Sequence, residues 1–194
     1  SQATGYIGYG HDFESTQYDH TQVADDNSLD ITGSFTFSAW IKQESLPSAG
    51  AYRDIINKGI DGDNNYYLET TGSEVACGFY AGGGYIEHQS SSAGLNTTNW
   101  AYVSCIFDDS GNNVKSYING TERLSATENK SASASTAEML FGAVTVFSQQ
   151  YDGLIDELRI QTTARSADWI TTEYNNQSSP GTFYSLGSEE TESI

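Results

Sequence analysis

Basic residues are scarce in this chain. Eight Lys and Arg stand against 26 Asp and Glu in 194 residues, a formal net charge of -18. Nucleic acid and anionic membranes are recognised by clustered Lys and Arg, so this balance argues against both as partners. It suits cations, neutral glycans, a salty or calcium-rich medium, or simple solubility. No apolar run approaches the ~18 residues of a membrane span, so membrane insertion is not expected. No signal peptide is present, and the opening SQATGYIGYG reads as an excised domain. The two cysteines, Cys77 and Cys105, form neither a CxxC motif nor a zinc spacing. Histidine is limited to His11, His20 and His88, scattered with no Ser-His-Asp arrangement. A GxGxxG and a P-loop are both missing, as is any alternation of strand and helix patterns.

What is present favours strands. The chain has only two prolines but 19 glycines, 13 tyrosines, eight phenylalanines and three tryptophans. Ser34 to Gln43 alternates Phe35, Phe37, Ala39 and Ile41 with Thr36, Ser38, Trp40 and Lys42. Further strands are predicted at Arg53–Gly59, in YYLET, on both sides of Gly82–Gly84, in NWAYVSCIF and in MLFGAVTVF. Asn119-Gly120 is the signature of a type I′ hairpin turn. The loop 61–65, DGDNN, lacks the downstream Glu of an EF-hand and reads as a solvated turn. Ser125 to Glu138 reads as a surface loop. One helix is predicted at Ser166–Asn175, capped by Ser166, and GTFYSLG as a closing strand. About a dozen strands with turn signals every ~8–12 residues make an all-β, two-sheet antiparallel jelly-roll sandwich. Residues 1–187 are read as one domain and 188–194 as an acidic tail or linker stub.

The string YDGLIDELRI, Tyr151 to Ile160, carries the sharpest chemical signal. A turn at Asp152-Gly153 launches a strand on which alternation puts Asp156 on one face with Leu158 and Ile160. A buried carboxylate is costly unless paired or metal-bound. Asp156 is therefore either a calcium ligand or a hydrogen-bonded structural carboxylate. Alternation also turns Cys77 and Cys105 toward the core, as a possible disulfide if their strands are neighbours or as two buried thiols.

Taken in order, SFTFSAWIK, IINKG, NWAYVSCIFDDSGNNVKSYINGTERL and YDGLIDELRIQTTARSADWI resemble the laminin G-like branch of the concanavalin A-like lectin/glucanase superfamily. The resemblance runs from about Gly8 to Gly187. It implies a non-catalytic jelly roll, often with one structural calcium, from secreted multi-domain proteins. Carried over by position, the calcium ligands are Asp156, the carbonyl of Gly33, and Asp12 or Glu14, with Asp30 as a further candidate. Phe13 is followed by Glu14-Ser15 where the family has Asp-Gly.

Glycan binding needs exposed aromatics beside amides and carboxylates. Tyr80, Tyr85 and His88 flank the glycine turn, Tyr66 and Tyr67 follow the acidic loop, and Trp100 opens a strand; most of these are also readable as ordinary inter-sheet or cross-strand packing. Glycanases of this fold carry an ExDxE or ExDxxE cluster on one strand. Here Asp156 and Glu157 are adjacent and point to opposite faces, so the chain is not expected to be an enzyme. The leading expectation is a carbohydrate-binding or adhesion module of a larger extracellular or cell-surface protein, flanked by neighbouring domains. A structural spacer or protein-interaction domain is the alternative, and a glycan hydrolase the distant one.

Overall fold

The computed structural model describes residues 1–194 except 49, 61–62, 92–93, 145–148, 185–186 and 188–194. The predicted acidic tail, the first half of the DGDNN loop and the later part of the MLFGAVTVF strand lie outside the described residues. The strands run β1 (Gln2–Thr4), β2 (Tyr9–Phe13), β3 (Thr21–Val23), β4 (Phe35–Gln43), β5 (Arg53–Ile60), β6 (Asp63–Thr71) and β7 (Glu74–Ala81). They continue as β8 (Gly84–Gln89), β9 (Ala101–Asp108), β10 (Asn113–Ile118), β11 (Thr121–Thr127), β12 (Met139–Phe141) and β13 (Gly153–Gln161). Helix α1 (Ala167–Ser178) and the short α2 (Pro180–Phe183) close the described chain.

The strands form two antiparallel sheets. A seven-stranded sheet has the order β1-β2-β13-β4-β9-β10-β11, and a six-stranded one the order β3-β12-β5-β6-β7-β8. Period-2 alternation sends one face of each sheet into a shared core. Phe35, Phe37 and Ile41 meet Tyr66, Leu68, Val75 and Phe79 there, all at most 1% exposed. Burying each such side chain stabilises the fold by about 1.5–3 kcal/mol. Cys77 on β7 and Cys105 on β9 lie on different sheets, and their disulfide crosses the core with 6.1 Å between Cα atoms. Of the two readings left open for these cysteines the disulfide is the one formed, and it joins facing sheets rather than neighbouring strands.

The outer face of the seven-stranded sheet is closed. Ile170 of α1 packs with Trp40, Tyr102, Ile106 and Tyr117, while Tyr6 stacks on Trp40 at 3.5 Å. Ser166 accepts a hydrogen bond from the Trp169 amide at 3.2 Å, so the cap predicted for this helix is formed.

Three expectations are overturned. The described residues of GTFYSLG form no strand: Pro180 starts a helical turn that runs to Phe183, and its fixed φ suits a helix start. The stretch 125–138 is not simply a surface loop, since Ala132, Ser135 and Ala137 are buried. The carbonyls of Ser135 and Ala137 accept from the ammonium of Lys58, which is fully buried. The third concerns β13. A bulge falls between Asp156 and Arg159, with Glu157 at φ 51° in the left-handed region. The extra residue resets the alternation. Leu158 and Ile160 pack on the core, whereas Asp156 stands opposite Trp40 on the outer face.

Candidate functional site: an acidic, tyrosine-walled trough

The outer face of the six-stranded sheet gathers the most chemistry. Strand β7, next to the edge strand β8, presents Ala76 and Gly78 outward, between the inward Val75, Cys77 and Phe79. Small residues keep this strand low beneath the Tyr67 ring, so the floor is buried, with Ala76 0% and Tyr67 4% exposed, while Tyr85 and Glu87 of β8 are exposed beside it. A Cβ on Gly78 would meet the Tyr67 hydroxyl at 2.4 Å and the Ile86 carbonyl at 2.0 Å. The Tyr67 ring uses that space and donates its hydroxyl to the Ile86 carbonyl at 3.1 Å.

Tyr80 and Tyr85 form one wall. They are cross-strand partners with ring centroids 5.4 Å apart at 80°. Tyr85 is 54% exposed, and its hydroxyl accepts from the Asn64 amide nitrogen at 3.0 Å. The turn between them holds Gly82 and Gly83 at φ 58° and 85°, which the hairpin geometry requires. On the other side Tyr52 donates to the Glu87 carboxylate at 3.0 Å.

Three carboxylates lie between these walls. Asp54 on β5 stands opposite Glu69 on β6, and Glu69 reaches Glu87 on β8. Asp54 is 0% exposed and Glu69 4%. Burial, then Asp54 and Glu87, push the Glu69 carboxyl far above the usual carboxylate range. Burial likewise raises Asp54, against a hydrogen bond from Asn57. Sequence reasoning missed Asp54, Glu69 and Tyr52, because nothing local marks residues 15 apart as cross-strand neighbours.

Other predicted ligand residues lie elsewhere. Tyr66 points into the core and donates to the Leu29 carbonyl. His88 pairs with inward Cys77 and so faces away from Tyr80 and Tyr85, bound to Glu128 at 3.2 Å. Trp100 packs at the closed outer face of the opposite sheet, edge-on to Tyr6. A separate cleft of about 270 Å³ lies beside β2 and β13, lined by Tyr9, His11, Phe13, Phe141 and Leu158.

The predicted calcium ligands do not converge. The Asp156 oxygens accept from the amides of Ile7 and Glu157, each at 2.8 Å. Asp30 is held by Lys58 at 3.2 Å. Gly33 stands in the bend before β4, with open space where a side chain would lie. Asp12 and Glu14 instead meet Glu44, with one ligand oxygen from each within 4.8 Å of the others. One Asp12 oxygen there is buried without a hydrogen-bond partner. Burial, then Asp12, Glu14 and Asp152, raise the Glu44 carboxyl.

Residues 15–171 match the profile of a family described as the concanavalin A-like lectin/glucanases superfamily. No curated protein sequence matches the chain. Among solved structures, the binding domain of Paraclostridial mosquitocidal protein 1 aligns with TM-score 0.74 at 15% identity, over 91% of this chain and 45% of that one. Domain 4 of AbnA, an extracellular arabinanase of Geobacillus stearothermophilus solved with arabinotriose, aligns with TM-score 0.67 at 22% identity, over 88% and 79%. A botulinum neurotoxin type C structure, on cell entry dependent upon two ganglioside molecules, aligns with TM-score 0.59 at 14% identity, over 81% and 40%. The chain thus spans under half the length of the two toxin chains. At these identities the likeness is one of fold, and it agrees with the two-sheet architecture and the match over most of the sequence: the chain belongs to the concanavalin A-like lectin/glucanases superfamily.

Proposed function

We propose that this domain is a non-catalytic glycan-binding module of a larger extracellular protein. The observation that carries the reading is the tyrosine wall: Tyr80 and the exposed Tyr85 stand beside the exposed Glu87 on the outer face of β7 and β8. Flat rings beside hydrogen-bonding groups are what sugar faces and hydroxyls require. Two further points support it. Arabinotriose is bound by one structural neighbour and gangliosides are tied to another. The core disulfide suits an oxidising compartment.

The proposal includes a structural calcium at Asp12, Glu14 and Glu44. Calcium takes six to eight oxygens, so these side chains would be joined by carbonyls or water. The unpartnered buried oxygen of Asp12 and the mutual repulsion around Glu44 are relieved by a cation there. The ion would supply charge neutralisation and tie the end of β2 to the end of β4.

A glycan array on the wild-type domain tests the main reading, followed by the Tyr80→Ala/Tyr85→Ala double variant. A hit lost in that variant, while it still folds, supports the trough. Tyr9, 72% exposed at the mouth of the separate cleft, serves as the control. A hit lost in Tyr9→Ala and kept in the tyrosine pair would move the site to the cleft. An array with no hit leaves the spacer reading in possession.

A further inference from the structure

The two sheets draw apart at one edge of the sandwich. Strand β2 turns Tyr9, His11 and Phe13 inward, since His11 pairs with the core residue Ile155 of β13. Strand β3 turns Thr21 and Val23 inward, where they pair with Phe141 and Met139 of β12. Phe13 is buried, as an inward position should be. Tyr9 is nevertheless 72% exposed and Val23 37%, and His11 and Thr21 are exposed as well. These inward positions face water instead of the opposite sheet. The gap is the cleft of about 270 Å³, bordered by Tyr9, His11 and Thr21 and lined by Phe13, Phe141, Ile155 and Leu158. The bulge of β13 helps to build it. Glu157 takes a left-handed backbone at φ 51°, and Leu158 thereby returns to the inner face. Such strain in a residue other than glycine gathers where ligands are held.

We propose that this cleft is a binding site in its own right, for an uncharged aromatic ligand of one or two fused rings, a phenol being the simplest member. Size points to the class. An apolar cavity of roughly 150 Å³ holds benzene, so about 270 Å³ suits a bicyclic ring. Chemistry points the same way. Tyr9, His11, Phe13 and Phe141 are rings that pack against another ring, edge-on or offset. The His11 nitrogens and the Thr21 hydroxyl border the opening and can bond a hydroxyl on the ligand. Charge is the third argument. The acids lining the cleft are Asp156 and Glu157, and both are engaged. Asp156 holds the amides of Ile7 and Glu157, and Glu157 pairs with Arg159. In a chain of net charge -18, a cleft whose own carboxylates are both engaged matches a neutral ligand. A sugar fits less well, because its hydroxyls need partners all round and the Phe13, Phe141, Ile155 and Leu158 side chains offer none. The inference is independent of the glycan reading. The Tyr80–Tyr85 wall stands at β7 and β8, at the opposite edge of the six-stranded sheet from β3.

Amide chemical-shift titration of the intact domain with naphthol, naphthoate, naphthylmethylamine and decanol tests the site and its class together. Naphthol is expected to bind at about 1 mM or tighter, ordinary for a ligand so small, and to shift the amides of Gly10, His11, Thr21 and Leu158. The carboxylate and ammonium analogues are expected to bind about tenfold or more weakly, since each brings a charge into an apolar site. Thr21→Trp, at an exposed position, fills the cleft and abolishes binding. Tyr9→Ala weakens it about threefold or more by removing a packed ring. Trp169→Ala, which removes an exposed ring on α1, leaves it unchanged. Shifts centred outside the cleft, or binding that survives Thr21→Trp, overturn the site. A charged analogue that binds as tightly as naphthol overturns the neutral assignment. Decanol binding as tightly overturns the ring in favour of an acyl chain. A glycan that displaces naphthol makes the cleft a sugar site and overturns the class. No shift with naphthol overturns the inference outright, while a hit on the array lost in Tyr80→Ala/Tyr85→Ala would still sustain the glycan-binding proposal.

Discussion

At the scale of single residues, two buried charges decide how this domain responds to its surroundings. Glu69 and Asp54 are acids whose carboxyls are raised in the folded state, to about 10 and about 7. Each binds a proton more firmly folded than unfolded. The stability they contribute is complete below the ordinary carboxylate range and is lost as pH rises through the raised values. The melting temperature is therefore expected to fall between pH 5 and pH 9, and Glu69→Gln should flatten that fall. An identical slope in wild type and variant would remove Glu69 from the account. Below pH 4 the opposite limb takes over. Asp63, lowered by its Thr136 hydrogen bonds, and Asp108, lowered by the Gly111 amide, lose their contribution as they are protonated. Lys58 is the second case. Its side chain is 0% exposed and binds Asp25 at 2.8 Å and Asp30 at 3.2 Å. Lys58→Ala leaves acids unpaired at a buried site, and chemical denaturation should report a loss of roughly 3 kcal/mol. The same ion pair explains why Asp30 is not free to serve a metal.

At the scale of elements, alternation made most strands readable. Phe35, Phe37, Ala39 and Ile41 all enter the core as their spacing requires. Asn119 and Gly120 both take positive φ, as the hairpin signal implies. Helix α1 begins one residue after the predicted cap, and Ser166→Ala should destabilise the domain by about 1 kcal/mol in denaturant titration. A change under a few tenths would mean that packing of Ile170 alone holds the helix. What could not be read was anything that depends on a break in the period or on which strands adjoin. The bulge at Glu157 turned Asp156 to the other face, and no local residue choice announces it, since Gly or Asn would be the usual occupant. The trough shares this opacity. Tyr80 and Tyr85 flank one turn and were legible, whereas Asp54, Glu69 and Glu87 meet only through the order β5-β6-β7-β8. His88 lies near the same turn, but its odd spacing from Tyr85 sets it on the opposite face. The disulfide belongs to this scale too. It closes a separation of 28 residues between sheets, and chain-entropy arguments assign it about 3–4 kcal/mol. Cys77→Ala/Cys105→Ala should lower stability by about that amount.

At the scale of the whole molecule, the question is how a chain with a net charge of -18 holds so many acids together at one end. Asp12, Glu14, Glu44 and Asp152 gather where β2 and β4 end and β13 begins, with Arg53 answering through Asp152 and Lys42 acting on Glu44. Asp152 is already satisfied by Ser15 and Ser45, so the excess charge rests on the other three, where Lys42 offsets the repulsion at Glu44 only in part. A calcium ion bound to the native state alone would stabilise by about 2.7 kcal/mol at a hundredfold excess over its dissociation constant. For a domain of this size that is roughly 5–10 °C in melting temperature. Calorimetry with calcium and with chelator should show such a difference in the wild type. The location follows from two variants. Glu44→Gln should abolish the difference. Asp156→Asn should keep it while lowering both curves, because that carboxylate anchors the amides of Ile7 and Glu157. If instead Asp156→Asn abolishes the calcium shift and Glu44→Gln preserves it, the ion belongs on β13. If the wild type shows no shift and elemental analysis finds no metal, the acids at the end of β2 are held by the fold alone, and added monovalent salt should then raise the melting temperature by screening them.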